Sequence, residues 1–286
     1  MRLLTALMNT NLARLTLAFL LLFPVAASAD TTTGGKNELL FGSVAMDIPA
    51  IMHKRLRPLT HYLTDRLGIP VSLKLSPNMG AAIKDVATRQ VDLTYLTPVA
   101  YLKAHAQGGA RIVAKTVTAG KASFQLMIVV KEDSPYQSVA DLKGKSFAFG
   151  DEKALLQRAV VVGAGIEMKD FSEYKFIGHY DNIARAVVNG DFEAGILKDT
   201  MAFAWQGKGL RILAESPDLP PYNITASGDI DEAMLAKLKA AFLELDKNNP
   251  EHLEVIKAID KKYDGFAATS DADYDVVRTL IKPFNK

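Results

Sequence analysis

From Glu38 onward, short apolar runs alternate with segments whose apolar residues recur every three to four positions, and this alternation limits the chain to an α/β fold. Glu38 to Ala45 reads as a strand. Ile48, Ile51, Met52, Leu56, Leu59, Leu63 and Leu67 then trace one face of a helix over 49–67, ended by Gly68 and kinked or restarted at Pro58. The alternation continues with a strand over 71–75, a helix over 79–89, a strand over 91–96, a helix over 98–107 and a strand over 111–117. Strands joined by helices through short loops pair in parallel, with helices on both faces.

The continuous apolar run Phe124–Val130 predicts a buried strand, and Asp141-Leu142-Lys143-Gly144-Lys145 turns into another at Ser146–Phe149. A second alternating block follows: helix 153–164, strand 174–177, helix 181–189, strand 193–197, helix 199–205 and strand 210–214. Helices over 231–246, 250–260 and 272–282 finish the chain and are expected to pack back on the first block. Extended crossings near 118–125 and at the proline-rich 215–225 divide the chain into two lobes, each a mixed sheet flanked by helices. The expected boundaries are 30–122 plus 223–286 for the first lobe and 123–222 for the second.

Residues 1–29 have the composition of a cleavable export signal. Arg2 and Arg14 precede the apolar run Leu15–Val25, and Ala27-Ser28-Ala29 supplies the small-x-small cleavage pattern. That run is about a dozen residues, against the roughly 20 needed to span a bilayer. Two of the 34 basic residues lie in this leader, leaving 32 against 32 acidic residues. A neutral body gives no electrostatic case for nucleic acid or an anionic membrane. With no cysteine, the chain has no disulfide, no thiol nucleophile and no thiolate metal site or lipid anchor. The reading is a freely diffusing, monomeric periplasmic protein that does not span the membrane.

Catalytic motifs are lacking. Gly144-Lys145-Ser146 resembles the tail of a phosphate-binding loop, but Val139 stands where its first glycine belongs and a strand follows instead of a helix. His53, His61, His105, His179 and His252 show no metal-ligand spacing, and no serine sits in a nucleophile elbow. Neither a cofactor nor a metal is expected, and the chain is not read as an enzyme.

Several segments, in order, resemble the phosphonate/phosphite family of periplasmic solute-binding proteins. They are Arg57-Pro58-Leu59 with Arg66-Leu67-Gly68, then Val91-Asp92-Leu93-Thr94-Tyr95-Leu96-Thr97-Pro98, then Asp141-Leu142-Lys143-Gly144-Lys145 with Phe149-Gly150-Asp151. His179, Ala186–Gly190, Glu193-Ala194-Gly195 and Glu215-Ser216-Pro217 continue the series. The resemblance implies the type II binding-protein fold, capture of a small-molecule ligand by closure of two lobes, and delivery to an inner-membrane transporter. A receptor is the sensory alternative.

The departures from the family pattern bear on the ligand. After Phe-Gly-Asp the family places Ser-Thr-Ser-Gly at a helix start, where hydroxyls and backbone N–H groups grip an oxyanion. Here Ala154-Leu155-Leu156-Gln157 stand there, and Met79 replaces a ligand-contacting tyrosine. Losing three charge-assisted hydrogen bonds costs roughly 4–9 kcal/mol, or about three to six orders of magnitude in affinity. If Leu155, Leu156 and Met79 face the cleft, they favour a largely apolar or neutral ligand (lipid-like, sterol-like or aromatic), oriented by Tyr95, Thr97 and His179. Glu193 matches an acidic family position near the cleft. If the leucines instead pack in the helix core, Lys153, Arg158 and backbone amides could rebuild an oxyanion site of the phosphate, phosphite or phosphonate type. Trp205 is read as a packing anchor.

Overall fold

The computed structural model describes residues 36–45 and 47–284, so the leader and its cleavage site lie outside the described residues. Two sheets, each flanked by helices, are built in succession. The first starts with β1 (Leu39–Val44), α1 (Pro49–Leu67), β2 (Val71–Ser76), α2 (Met79–Ala87), β3 (Leu93–Leu96), α3 (Pro98–Gly108) and β4 (Arg111–Thr118). α1 runs unbroken through Pro58 and buries Met52, Leu56, Leu59, Leu63 and Leu67 of the predicted stripe, while the stripe's first two members, Ile48 and Ile51, are exposed. Gly68, at φ 71°, ends it in the left-handed conformation that glycine takes without steric cost.

The second sheet holds β5 (Leu126–Lys131), β6 (Ser146–Phe149), β7 (Glu173–Phe176), β8 (Ala194–Lys198) and β9 (Leu210–Glu215). Its helices are α4 (Leu155–Gly163), α5 (Tyr180–Asn189) and α6 (Asp199–Trp205). The chain then returns through β10 (Asn223–Ala226), α7 (Glu232–Leu243), α8 (Pro250–Ile259), β11 (Tyr263–Ala267) and α9 (Asp275–Ile281).

Strand order is β11-β4-β10-β3-β1-β2 in the first sheet and β7-β6-β8-β5-β9 in the second. β1 pairs in parallel with β2 and β3, and β6 with β7 and β8. β5, β10 and β11 run antiparallel to their neighbours, so both sheets are mixed. In each sheet the helical connections leave in opposite directions from a central pair, β1/β3 and β6/β8. The crevice at the carboxyl ends of such a pair is where open α/β sheets bind ligands.

Three features differ from the sequence reading. β10 lies in the stretch read as a crossing, and β11 within the helical tail. All four residues of β10 are buried, so it has no alternating pattern to detect. β11 carries a register shift near Gly265, which sits at φ 155°. The last helix also does not pack on the first lobe alone. Tyr274, Val277 and Ile281 join a cluster with Phe147, Val160 and Val161 of the second lobe and with Tyr101 and Leu102 of α3. α9 is therefore a third tie between the lobes.

The two crossings are bonded to each other. Phe124 and Leu219 exchange backbone hydrogen bonds of 3.0 and 2.8 Å. Gln125 Nε2 donates to the Ser216 carbonyl at 2.7 Å, and Leu126 N–H donates to Ser216 Oγ at 3.0 Å.

Candidate functional site

In the second lobe, the carboxyl ends of β6 and β7 lead directly into α4 and α5. Two ladder-like bonds hold these two connections side by side: Ile177 N–H to Phe149 C=O at 2.9 Å, and Gly178 N–H to Gly150 C=O at 3.0 Å. Neither helix has a side-chain cap. The N-cap residues are Ala154 and His179, and neither side chain accepts from the helix amides. Of the first lobe's helices, α1 also lacks a side-chain cap, but α2 and α3 have one: Asn78 Oδ1 accepts from Ala81 N–H at 3.0 Å and Thr97 Oγ1 from Ala100 N–H at 3.2 Å. The second lobe thus presents two adjacent helix N-termini without side-chain caps, where Leu155, Gln157 and Asn182 N–H turn to backbone carbonyls and the helix dipoles favour negative charge.

Gln157, in the first turn of α4, is buried, at 6 % exposure. Its Oε1 accepts from Gly150 N–H at 2.8 Å, and its Nε2 donates to the Tyr180 hydroxyl at 3.3 Å. One amide side chain therefore ties the β6–α4 loop to the first residue of α5. Gly150 leaves the space for it, since a Cβ there would lie 2.8 Å from Gln157 Nε2.

A group of tyrosines gathers where Tyr95 and Tyr263, packed with the first lobe's core, meet Tyr222 of the second crossing. Tyr95, near the end of β3, stacks on Tyr222 of the second crossing with ring centroids 4.9 Å apart and planes 18° off parallel. The Tyr95 hydroxyl bonds that of Tyr263. Tyr222 retains 39 % exposure. Partial burial raises its pKa, and Asp260 of the first lobe and Asp151 of the second raise it further. Tyr180 is raised by burial, with contributions from Tyr222 and Asp199, although the Gln157 hydrogen bond acts the other way. Tyr222 thus feels charges from both lobes. Lys198, at the carboxyl end of β8, has its pKa lowered by burial; it lies over the Phe124 ring at 5.2 Å and beside Asp199. A cavity of about 150 Å³ opens here, lined by Thr118, Phe124, Lys198, Asp199, Phe203 and Pro221. A groove of about 460 Å³ between α1 and α8, lined by His61 and His252 among others, lies on the helical face of the first lobe and not between the sheets.

The residues expected from sequence fall into separate places. Ala154 and His179 stand at the two uncapped helix starts, and Tyr95 lies in the aromatic group. Thr97 spends its hydroxyl oxygen on capping α3. Leu155 and Leu156 are half-buried and pack against the second lobe's core, while Met79 packs against the α2–α3 cluster. Glu193 precedes β8, at the opposite end of that strand from Lys198. Its carboxylate takes the Ser146 N–H at 2.7 Å and the Ser146 hydroxyl. Burial alone would raise its pKa, but the Ser146 bonds, its own backbone N–H and nearby Lys145 together lower it. Lys153 is exposed. Arg158 donates to the Glu152 carbonyl at 3.0 Å and lies over the rings of Phe176 and Phe284. Trp205 packs in the cluster beneath α5 and α6. Sequence reasoning passed over Tyr180, Tyr222, Lys198 and the role of Gln157. The signal for Tyr180 was its place at the first position of a helix following a strand.

Among the described residues, no helix is long and apolar enough to cross a membrane, and no group of His, Asp and Glu could hold a metal ion. Two mixed α/β lobes joined by paired crossings, with strand ends meeting at a cleft, define a type II periplasmic binding protein fold. The chain belongs to the family described as ABC transporter, phosphonate, periplasmic substrate-binding protein, whose model matches residues 41–274. It is 25 % identical over 279 residues to the phosphate-import protein PhnD of Mycolicibacterium smegmatis, covering 87 % of this chain and 86 % of that protein. Its fold is similar to that of PhnD1 from Prochlorococcus marinus in complex with methylphosphonate, with a TM-score of 0.64, 22 % identity and coverage of 87 % and 99 % of the two chains. XAC2383 from Xanthomonas citri bound to ATP gives a TM-score of 0.69 at 18 % identity, covering 85 % and 95 %. The protein is thus a periplasmic solute-binding protein and not an enzyme. The family favours the oxyanion alternative over the lipid-like or sterol-like cargo expected from the apolar helix start.

Proposed function

We propose that this protein captures a small tetrahedral oxyanion (phosphate, phosphite or a phosphonate) between its two lobes and delivers it to an ABC importer. The observation that carries this reading is the pair of uncapped N-termini of α4 and α5, pinned together at the carboxyl ends of adjacent parallel strands. Family membership and the phosphate-import relative support it. Leu155 and Leu156, half-buried against the second lobe's core, leave less apolar surface for a lipid-like ligand than a helix start turned fully outward would.

The mechanism follows from where the donors sit. An anion entering the open cleft meets the helix dipoles first, with His179 at one of the helix starts. The aromatic group on the opposite lobe then closes over it and excludes water. Removing water strengthens each charge-assisted bond to the anion. The free energy of those contacts is what shifts the open–closed equilibrium, because a ligand moves such an equilibrium only through its different affinity for the two states. The closed form is the one an importer can distinguish from the empty protein. Without the serine and threonine hydroxyls typical of the family, tyrosine hydroxyls join His179 among the side-chain donors that can replace them.

Isothermal titration calorimetry with phosphate, phosphite and methylphosphonate, run beside a panel of fatty acids and sterols, tests the reading. Saturable binding of at least one oxyanion and of no lipid is expected. Lipid binding with no oxyanion binding would refute it.

A further inference from the structure

We infer that Gln157 is a positioning residue that fixes the Tyr180 hydroxyl as a hydrogen-bond donor toward the ligand, an inference that rests on the oxyanion reading above. The direction of each bond is set by chemistry alone. Gly150 N–H can only donate, so the Gln157 atom 2.8 Å from it must be the carbonyl oxygen. The other end of the same planar amide is then the NH₂ group, which can only donate, and it faces the Tyr180 oxygen at 3.3 Å. Tyr180 therefore accepts from Gln157. Its own proton is turned elsewhere, and among the described residues that proton meets no acceptor.

The amide is buried, so solvent does not compete for this arrangement. Tyr180 is the first residue of α5, next to the uncapped helix starts, and Tyr222 and Asp199 lie near it. A proton offered there has an anion as its natural partner, and a hydrogen bond to an ionised group is about twice as strong as a neutral one. The sequence places Gln157 where the family carries glycine, within the segment that replaces its hydroxyl-bearing run. The substitution supplies an orienting group for a donor on the neighbouring helix. This would recover part of the grip lost with the serine and threonine hydroxyls.

Gln157→Glu tests this directly. At pH 8 a carboxylate can still accept from Gly150 N–H, but it now also accepts from Tyr180 and so draws that proton inward, away from the ligand. Affinities for inorganic phosphate and methylphosphonate would be measured by calorimetry for wild type, Gln157→Glu, Tyr180→Phe and the double variant. Tyr180→Phe is expected to weaken binding on the order of 10- to 100-fold. Gln157→Glu should weaken it similarly, and the double variant should be no worse than either single variant by more than about threefold. Gln157→Met, which has no charge and no polar bond to either partner, should fall between wild type and Tyr180→Phe, and it guards against loss of folding in the glutamate variant. A Gln157→Glu effect that multiplies in full with that of Tyr180→Phe would mean simple charge repulsion and overturn the inference, as would wild-type affinity in Gln157→Glu. Those outcomes leave the oxyanion reading intact. A wild-type protein that binds neither anion removes both.

Discussion

Tyr222 makes two contributions to the cleft that substitution can separate. Its ring stacks on Tyr95, and its hydroxyl lies where charges from both lobes are felt. Tyr222→Phe keeps the stack and should change stability by less than about 0.5 kcal/mol in urea denaturation, because the hydroxyl is part-exposed. Tyr222→Ala forfeits the stack as well and should cost about 1–2 kcal/mol, from an aromatic pair worth about 0.5–1.5 kcal/mol plus lost burial. A Tyr222→Ala variant as stable as wild type would show that the pair contributes nothing. At this scale the sequence was least informative. The apolar leucines of α4 were legible as apolar, but which way they faced was not, because a helix start at the edge of a lobe can turn either side inward. Leu155 and Leu156 lie half-buried against the core, while Gln157, read there only as part of the segment replacing the hydroxyl-bearing run, became the buried polar link. Its partners, Gly150 and Tyr180, are seven and 23 residues away, and no local spacing encodes such a pairing.

Periodicity performed better on elements. The 19-residue helix α1 and the parallel strands of each sheet follow from stripes and runs, because each of these elements buries one face or both in a regular way. It failed at β10 and β11, where four fully buried residues and a glycine-broken strand leave no period to detect. Element packing also carries a prediction. Gly108, in the last turn of α3, lies so close to α2 that a Cβ would meet the Ala87 carbonyl oxygen at 2.1 Å. Backbone cannot yield as a flexible side chain can, so Gly108→Ala should destabilise by about 3 kcal/mol and lower the urea midpoint without changing its slope. A neutral result would show that α2 and α3 can slide apart freely. Gly68, ending α1 in a position where a Cβ would meet nothing within 4 Å, has only its positive φ to constrain it. Gly68→Ala should therefore cost no more than about 1–2 kcal/mol.

The lobes form a molecule through three connections, of which the sequence showed two. The paired crossings were legible from proline content and the break in periodicity; α9 was not, since an amphipathic helix does not announce which partner it will choose. It meets α3 through Tyr101, whose hydroxyl donates to Asp271 Oδ1 at 2.6 Å, and Arg278 braces the same carboxylate from within α9, its Nη2 donating to Asp271 Oδ1 at 2.5 Å and its Nη1 to Asp275 Oδ1 at 2.6 Å. Burial alone would raise the Asp271 pKa, but the Tyr101 hydroxyl and the Arg278 guanidinium together hold it below the usual carboxylate value. A carboxylate depressed in the folded state stabilises it above the unfolded pKa of about 3.9, and the contribution is lost as pH falls through the lower folded value. Asp271→Asn should cost about 1 kcal/mol at pH 7, the low end for a bond to a charged group because the carboxylate is half-exposed and screened. The variant should also lose less stability than wild type between pH 4 and 2. Parallel acid-unfolding curves for the two proteins would remove Asp271 from the account.

At the same scale, the capture of an oxyanion between lobes is tested most directly by a crystal structure of the protein grown with methylphosphonate or phosphate. The expected result is a tetrahedral anion at the starts of α4 and α5, within hydrogen-bonding distance of the Tyr180 hydroxyl, with Tyr222 closed over it. An anion found only in the groove between α1 and α8, or an apolar molecule seated between the lobes in its place, would contradict it.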